Sequence, residues 1–468
     1  MKSAWIKFGI FFALVLLVVS IAVPSNAVPV TQAQDDMGFR STFDLEGPAE
    51  DGVLAGVDPS GQTVVWWHQH SGAREERLNE MIAQFNEENP WGITIDASNQ
   101  GGYSQIYEQV VAGLTTGSLP NLVVAYQNQA LAYLSADSLV NMDTFVTDET
   151  WGLNEAEAAD YISSFFNQDY APDGTRIGFP PNRSIEVMYF NADAVAELGY
   201  DGPPTSWDEF REMACRFTEE GWSGYDGDTV GYSIRTDASN VAALTYGFGE
   251  DIYDPETNAF TYNNPGTIAA LTFMQELLND GCANLIAERF GDQNDFAAGK
   301  NLFYMGSSSG LPFVGAAINE GENPFTWSMA YIPYDEAPVV DVYGASVSIL
   351  STDPEADREA QLAAWLFVRW YTEPAQQSSW AEASQYFPVR ISSTAELDSI
   401  FAEIPQYEEA WNLLLGAEST TEPNVAAYDN IRGDAADAFN TILAEGADVE
   451  TTLEGLDSDA ADWMAEFE

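Results

Sequence analysis

The stretch from Thr63 to Tyr126, "TVVWWHQHSGAREERLNEMIAQFNEENPWGITIDASNQGGYSQIYEQVVAGLTTGSLPNLVVAY", decides the fold. It begins with an apolar strand, "TVVWW", and continues with "AREERLNEMIAQFNEENP", whose apolar residues recur at helical spacing on one face before Pro90. "GITIDAS" alternates as strands do, "YSQIYEQVVAGLTTG" is helical, and "NLVVAY" is typical of a buried strand. This β-α-β-α-β order predicts an α/β fold in which helices cover both faces of a parallel sheet.

The loops after these three strands are predicted to form one edge of a ligand pocket, because such sheets bind ligands at the carboxyl ends of their strands. His68 follows the first strand, the loop 99–103 follows the second, and the loop 125–129 follows the third. His68 and His70 are the only histidines of the chain, so a zinc site with three or four ligands is not expected. The stretch "GSSSG" at Gly306 to Gly310 has the wrong shape for a "GxSxG" nucleophile elbow, so no nucleophile for a histidine base is expected. His68 therefore either lines the pocket or has a structural role.

The amino-terminal sequence has the pattern of an exported protein. Residues 1–27 combine two lysines, a long apolar run and the small residues "SNA", which is the order of an export signal. Cleavage is expected after Ala27, with an uncleaved membrane anchor as the alternative. Residues 28–61 are acidic, contain glycine and proline and lack periodicity, so they are predicted to form a flexible linker. The remainder is expected to be extracellular or periplasmic.

The chain is strongly acidic, with 74 acidic against 16 basic residues and a net charge of −58. Loss of residues 1–27 would remove two lysines and leave a net charge of −60. Such a surface repels nucleic acid, which is therefore not an expected partner. The acidity fits either adaptation to a saline exterior or a drift without that meaning.

A second α/β section is predicted over residues 187–330, and it contains the only two cysteines, Cys215 and Cys282. An exported chain with an even pair of cysteines permits a disulfide. Closing this loop of 67 residues would stabilise the fold by about 4 kcal/mol in the chain-entropy model. The alternative is two buried free thiols.

Aromatic residues at strand ends are the most informative candidates for ligand contact. Flat rings stack on the apolar faces of sugars while neighbouring polar groups bind hydroxyls. Tyr103 is the strongest candidate, because the two glycines before it let the backbone approach a ligand. Paired catalytic carboxylates are uninformative here, since 74 acids give nearly any spacing by chance. A secreted glycosidase or lyase remains the competing class, and an adhesion or surface-layer protein is a third.

An ordered set of blocks resembles the family 1 extracellular solute-binding proteins of ABC importers. The resemblance runs from the opening stretch through "GFPPNRSIEVMYFN", "TSWDEFREMACRF", "FAAGKNLFYMGSSSG", "VYGASVSIL" and "AAWLFVRWYTEPAQQSSWAEASQYFPVR", over about residues 62–440. Within the family the chain is most similar to the glycerol-3-phosphate-binding branch, and maltose-binding proteins are more distant. The resemblance implies a monomeric binding protein without catalysis or cofactor, which delivers its solute to a membrane permease.

The resemblance also implies two α/β lobes that are joined by three chain crossings and close over the ligand. We expect the crossings near 180–186, 330–334 and 384–390. Lobe 1 is then predicted to comprise residues 62–182 with 333–385, and lobe 2 residues 183–332 with 386–468.

Ligand contacts of the branch carry over to matching motifs of this sequence. They fall on Tyr103, Gln127, Asn182, Arg183, Ser184, Ser308, Gly344, Tyr386 and Asn424. The branch has a phosphate-gripping arginine where this chain has Asn424, although Arg183 could substitute. Loss of that cation and the net charge of −60 favour a neutral sugar or polyol over glycerol 3-phosphate or a phosphodiester. Asp237 and Ser239 are further candidates for hydroxyl contacts, with a helix N-cap as the alternative for that position.

Overall fold

Two separate β-sheets organise the chain. The computed structural model describes residues 37–288 and 290–467, so the predicted export signal and residues 28–36 of the predicted linker lie outside the described residues. We call the four-stranded sheet with its helices lobe 1 and the seven-stranded sheet with its helices lobe 2. Both sheets are mixed, and the predicted α/β class is confirmed.

The strands of this part of the chain are numbered in chain order. They are β1 Thr63–His68, β2 Thr94–Asn99, β3 Leu122–Ala125, β4 Ser184–Asn191, β5 Val230–Arg235, β6 Tyr253–Asp254, β7 Ala259–Phe260, β8 Ala283–Ile286, β9 Asn301–Ser307, β10 Trp327–Ala330, β11 Val339–Tyr343, β12 Ser346–Ile349 and β13 Glu418–Thr420.

The α-helices are numbered in the same way. They are α1 Ala73–Glu88, α2 Tyr103–Thr116, α3 Gln127–Ser135, α4 Asp143–Val146, α5 Glu155–Ala159, α6 Ser163–Phe166, α7 Ala192–Glu197, α8 Trp207–Glu220, α9 Ala238–Gly247, α10 Pro265–Asn279, α11 Gly291–Ala297, α12 Leu311–Glu320, α13 Arg358–Tyr371, α14 Pro374–Ser384, α15 Asp398–Glu403, α16 Pro405–Gly416, α17 Tyr428–Glu445 and α18 Val449–Phe467.

Lobe 1 contains the β-α-β-α-β unit that the opening stretch predicts. Strand β1 runs parallel to both β2 and β3, with Thr63 opposite Thr94 and Trp66 opposite Leu122. The predicted face of α1, from Leu78 to Phe85, is buried against the sheet. A late strand, β12, pairs antiparallel with β3 and completes the order β12-β3-β1-β2. The carboxyl ends of the three early strands therefore meet at one edge, where the loops 99–103 and 125–129 lie.

Lobe 2 is built on the sheet order β13-β11-β4-β9-β5-β8, with β10 paired to β4. Strand β4 is apolar between its polar end residues Ser184 and Asn191, except for Glu186, and it is buried along its whole length, as expected of a central strand. Cys215, on α8, and Cys282, before β8, form a disulfide. The predicted bridge is confirmed, and it lies within lobe 2.

The chain passes between the lobes at places that differ partly from the prediction. Phe179 still bridges to Val347 of lobe 1, and β4 of lobe 2 begins at Ser184, so the first passage occupies residues 180–183. The passage expected at 330–334 is wrong, because β11 pairs with β4 in lobe 2 and the chain reaches lobe 1 only at β12. The second passage is instead formed by Gly344 and Ala345, the two residues between β11 and β12. The rest of the lobe division stays a prediction.

The segment 37–61 packs on lobe 1 and is not the flexible linker that its composition suggests. The ring of Phe43 stacks on Trp370 of α13 with centroids 6.0 Å apart. Leu45 and Leu54 are buried, and Arg40 is paired with Glu157. The composition was misleading because acidic and turn-forming residues outnumber the few apolar residues, Phe43, Leu45 and Leu54, that pack against lobe 1. No helix within residues 37–288 and 290–467 combines the length and apolar character that crossing a membrane requires.

Candidate ligand-binding cleft

A cleft of about 600 Å³ separates the two lobes. Residues of lobe 1 and lobe 2 face each other across it. Among them are Arg74, Tyr103, Tyr126, Ser184, Glu186, Arg235, Asp237, Ser239, Asp292, Tyr304, Tyr343, Gly344, Tyr386 and Arg432. This volume falls within the range of small-molecule binding sites in proteins, about 300–1,000 Å³. The cleft therefore has room for a ligand of the size of a small oligosaccharide.

Half of the residues predicted to contact ligand line this cleft. They are Tyr103, Ser184, Asp237, Ser239, Gly344 and Tyr386. Tyr103 opens α2 directly after the two glycines, and its ring packs edge-on against Tyr126 with centroids 4.8 Å apart. Its hydroxyl accepts a hydrogen bond from Nε2 of Gln69 at 3.0 Å. This bond fixes the orientation of the ring at the cleft wall.

A smaller cavity of about 130 Å³ adjoins the cleft and shares Tyr126, Tyr343, Ser239 and Arg432 with it. Two further predicted residues, Gln127 and Asn424, line this cavity.

The side chains of Gln127 and Asn424 already donate to protein acceptors. Gln127 donates through Nε2 to Asp169 at 2.6 Å, and Asn424 donates through Nδ2 to the carbonyl oxygen of Tyr170 at 2.7 Å. These side chains therefore shape the cavity wall.

Four predicted residues lie away from both cavities: His68, Asn182, Arg183 and Ser308. His68 is buried between Trp66 and His70, with ring centroids 5.5 and 5.9 Å away. Burial lowers the pKa of His68 to about 4, so the imidazole is neutral at physiological pH. The structure therefore supports the structural role of His68 and not the pocket-lining one.

Asn182 and Arg183 lie in the first passage between the lobes, and Ser308 lies within lobe 2 after β9. Arg183 is fully buried and forms an ion pair with Asp169 at 3.0 Å, so it is not available to a ligand phosphate. Oδ1 of Asn182 accepts from Nε1 of Trp380, and Oγ of Ser308 accepts from the backbone N–H of Ile185.

Asp237 and Ser239 both line the cleft, but their polar atoms are used within lobe 2. Oδ1 of Asp237 accepts from the backbone N–H of Ser239 at 3.0 Å and caps α9, as the alternative interpretation of that position holds. Oγ of Ser239 donates to Oε1 of Glu422 at 2.5 Å. A ligand would have to share these groups.

Three arginines line the cleft that sequence reasoning missed: Arg74, Arg235 and Arg432. Arg235 forms ion pairs with Asp292 at 3.1 Å and Asp237 at 3.3 Å, and Arg432 forms one with Glu422. A signal was present, because Arg235 ends a strand and Arg74 lies at the start of a helix at the ligand edge of lobe 1. Arg74, Arg235 and Arg432 therefore bring positive charge to the cleft, whereas Arg183, the cation that the motif match suggested, does not line it.

Arg74 differs from the other two arginines, since its partners are carbonyl oxygens. Nη2 donates to Ser384 at 2.6 Å within lobe 1 and to Ser309 at 2.8 Å across the cleft in lobe 2. The guanidinium lies 4.4 Å from the ring centroid of Tyr386. Among the described residues no carboxylate is within ion-pair distance of it. Arg74 thus leaves a net positive charge at the point where the two lobes touch.

Glu186 is a further residue that sequence reasoning missed. It is the one acid of strand β4, it lines the cleft, and it is 4% exposed. Tyr343 donates through its hydroxyl to Oε2 of Glu186 at 2.6 Å. Burial raises the pKa of Glu186 to about 7. A single carboxyl in an otherwise apolar strand was the signal that could have identified it.

The model of the family described as bacterial extracellular solute-binding protein matches residues 80–413. This match covers most of the chain and includes both walls of the cleft. The chain belongs to the bacterial extracellular solute-binding proteins. The predicted family is therefore confirmed, and its members are binding proteins.

Relatives of this solute-binding protein are found by sequence. The chain is similar to the sn-glycerol-3-phosphate-binding periplasmic protein UgpB of Escherichia coli (strain K12), with 21% identity over 345 residues, 72% of this chain and 76% of that protein.

Solved structures of the same fold bind different solutes. The cyclic alpha-maltosyl-1,6-maltose binding protein from Arthrobacter globiformis matches with a TM-score of 0.72 and 20% identity, over 86% of this chain and 99% of that one. UgpB from Mycobacterium tuberculosis in complex with glycerophosphocholine matches with a TM-score of 0.73 and 21% identity, over 87% and 99%. A solute-binding protein from Agrobacterium radiobacter K84 in complex with ribitol gives 0.66 and 18%, over 86% and 99%. At these identities the likeness establishes the two-lobed fold of this solute-binding protein.

Proposed function

We propose that this solute-binding protein captures a neutral polyhydroxylated solute, a sugar or a polyol, between its two lobes. The protein acts outside the cytoplasm as a monomer, releases the solute unchanged, and delivers it to the permease of an ABC importer. Solved neighbours in complex with ribitol or named for a cyclic maltose derivative support this class of ligand.

The observation that carries the proposal is the chemistry of the cleft wall. Tyrosine rings from both lobes, including Tyr103, Tyr304 and Tyr386, line the same space as the carboxyl groups of Glu186 and Asp292. Sugars and polyols present C–H faces that pack on such rings and hydroxyls that donate to carboxyl oxygens. A cleft with acids among its aromatic rings is suited to a ligand that has many hydroxyls and no charge.

A glycerophosphate-type diester is the second candidate, because Arg74 has carbonyl partners and no carboxylate. A guanidinium in that state can bind a phosphate oxygen. Arg235 and Arg432 offer less, since acids of the same lobe already neutralise them. The net charge of −58 also opposes the approach of an anion.

Thermal unfolding with a panel of maltose, ribitol, sn-glycerol 3-phosphate and glycerophosphocholine tests the proposal. A ligand present at a hundred times its Kd stabilises the folded state by about 2.7 kcal/mol, which raises the Tm measurably. We expect the neutral compounds to raise the Tm and to be recovered unchanged by chromatography. Products in molar excess over protein would identify an enzyme instead, and a Tm unmoved by every compound would contradict solute binding.

The variant Arg74→Gln separates the two candidate ligand classes. Glutamine keeps donors for the carbonyl oxygens of Ser309 and Ser384 but removes the charge. Stabilisation by glycerophosphocholine should then be lost while stabilisation by maltose or ribitol persists. If the neutral compounds fail and the diester binds only when Arg74 is present, the second candidate replaces the first.

A further inference from the structure

Two buried carboxyl groups lie side by side on the sheet of lobe 2. Strands β4 and β11 pair antiparallel, with Val342 opposite Ile185 and Tyr343 opposite Ser184, so the register places Asp341 opposite Glu186. Residues directly opposite in such a pair point to the same face, with Cβ atoms about 4.5–5.5 Å apart. Glu186 is 4% exposed and Asp341 is 1% exposed. The two acids are therefore neighbours in a region that water barely reaches.

Most of the oxygen atoms of this pair have no protein donor. Tyr343 donates to Oε2 of Glu186, whereas Oε1 of Glu186 and both carboxyl oxygens of Asp341 have no hydrogen-bond partner in the described part of the chain. A buried carboxylate without donors is costly, and two such charges side by side are more costly still. The geometry thus favours a pair that retains a proton at neutral pH.

The charges around the pair do not remove its preference for a retained proton. The charged and titratable groups that interact with Glu186 are Arg235, Asp237, Asp292, Tyr189, Tyr232, Tyr304 and Tyr343. Those that interact with Asp341 are Arg432, Asp251, Tyr246 and Tyr428. Both arginines are already paired with other acids. Burial, and then the neighbouring Glu186, raise the pKa of Asp341 well above its ordinary value.

The two carboxyl groups have different access to a ligand. Glu186 lines the cleft, whereas Asp341 does not. Oε1 of Glu186 is itself buried, so a ligand hydroxyl in the cleft would donate to Oε2, which has a second lone pair beyond the one that accepts from Tyr343. Hydrogen bonds to an ionised carboxylate are stronger than those to its neutral form. A hydroxyl donor consequently favours the ionised state of Glu186.

We propose that Glu186 and Asp341 form a proton-binding pair that couples solute capture to proton release. The ligand O–H donates to Glu186, and the proton held by the pair passes to the solvent. The proposal rests on the proposed function for the class of ligand, since an anionic phosphate would instead favour the protonated pair. The direction of proton transfer on binding therefore reports whether the solute is a hydroxyl donor or an anion at this carboxyl.

Calorimetric titration of maltose and ribitol in two buffers of different ionisation enthalpy measures the proton transfer. We expect protons to be released near pH 7, and the affinity to be about tenfold weaker at pH 5.5 than at pH 7.5, because one pH unit of linkage changes affinity up to tenfold. Glu186→Gln should abolish both effects. Asp457→Asn is the matched control, since it removes a partly buried acid on α18, outside the cleft. Proton uptake, or a pH profile that Glu186→Gln leaves unchanged, would overturn the proposal.

The pair can also be tested without any ligand. A carboxyl whose pKa is raised in the folded state holds a proton that the unfolded chain has lost, so the free energy of unfolding falls as pH rises from about 4.5 to about 7. In Glu186→Gln this fall should be smaller than in the wild type. If no compound of the panel binds, the proposed function fails. An unchanged fall in the variant would instead refute the proton-binding pair.

Discussion

Replacement of Arg183 by methionine tests the ion pair that ties the passages between the lobes together. Arg183 and Asp169 are both fully buried, with Nη2 and Oδ2 at 3.0 Å. Ser346, at the second passage, accepts from Nη2 of Arg183 at 2.8 Å and donates to Oδ2 of Asp169 at 2.6 Å. The backbone of Arg183 also pairs with Phe387. One side chain and its partners thus join three distant segments of the chain.

The structure determines which single variant should be more damaging. Removing one partner of a buried ion pair costs about 3–5 kcal/mol, because the remaining charge is left without compensation. In Arg183→Met, Asp169 keeps two donors at 2.6 Å, Gln127 and Ser346, so we expect a loss near the lower end, about 3 kcal/mol. In Asp169→Leu, Arg183 keeps only neutral acceptors, so we expect about 5 kcal/mol.

Urea unfolding followed by tryptophan fluorescence measures these losses. The double variant Arg183→Met with Asp169→Leu should lose clearly less than the sum of the two single variants, since neither charge is then stranded. Arg216→Met is the control, because Arg216 pairs with Glu220 at the surface and its removal should leave the unfolding midpoint unchanged. Strictly additive losses in the double variant would refute the reasoning.

Three further predictions concern single features of the molecule. Replacing Cys215 and Cys282 together by serine should lower the free energy of unfolding by about 4 kcal/mol in the chain-entropy model, for a loop of 67 residues. An unchanged urea midpoint would show that the disulfide does not stabilise the fold. Tyr103→Ala should weaken binding of the preferred panel compound more than tenfold, by calorimetry, with a Tm within a few degrees of the wild type; normal affinity would place Tyr103 outside the site. Asp237→Ala should cost about 1 kcal/mol through loss of the cap of α9, whereas Asp237→Asn should cost little; equal losses in thermal unfolding would speak against the cap.

The periodicity of the sequence was sufficient to predict the early part of lobe 1. Strands and helices from Thr63 to Ala125 follow one another locally, and each contributes its own apolar face. The position of the second passage was not predictable in this way. It depends on whether β11 pairs with β4, a contact between residues more than 150 positions apart along the chain that no local pattern encodes.

The sequence predicted part of the candidate site, from strand ends and from motif matches. Tyr103 and Tyr386 line the cleft, but Arg183 carries a motif match and lies in a buried ion pair instead. Net charge gave no indication of the cations in the cleft, because it averages over the whole chain while Arg74 and Arg235 line the cleft. Glu186 was missed since its significance depends on Asp341, which a different strand brings opposite to it.

The docking of residues 37–61 onto lobe 1 bears on how shortened versions of the chain should be prepared. The backbone N–H groups of Arg40 and Thr42 donate to Glu157 and Glu373, and Nη1 of Arg369 donates to Oγ1 of Thr42. A truncated chain that began at β1 would leave Glu157, Glu373 and Arg369 without these hydrogen-bond partners. It would also expose the face of Trp370 on which Phe43 stacks. Expression designs that start before Phe39 would retain these contacts.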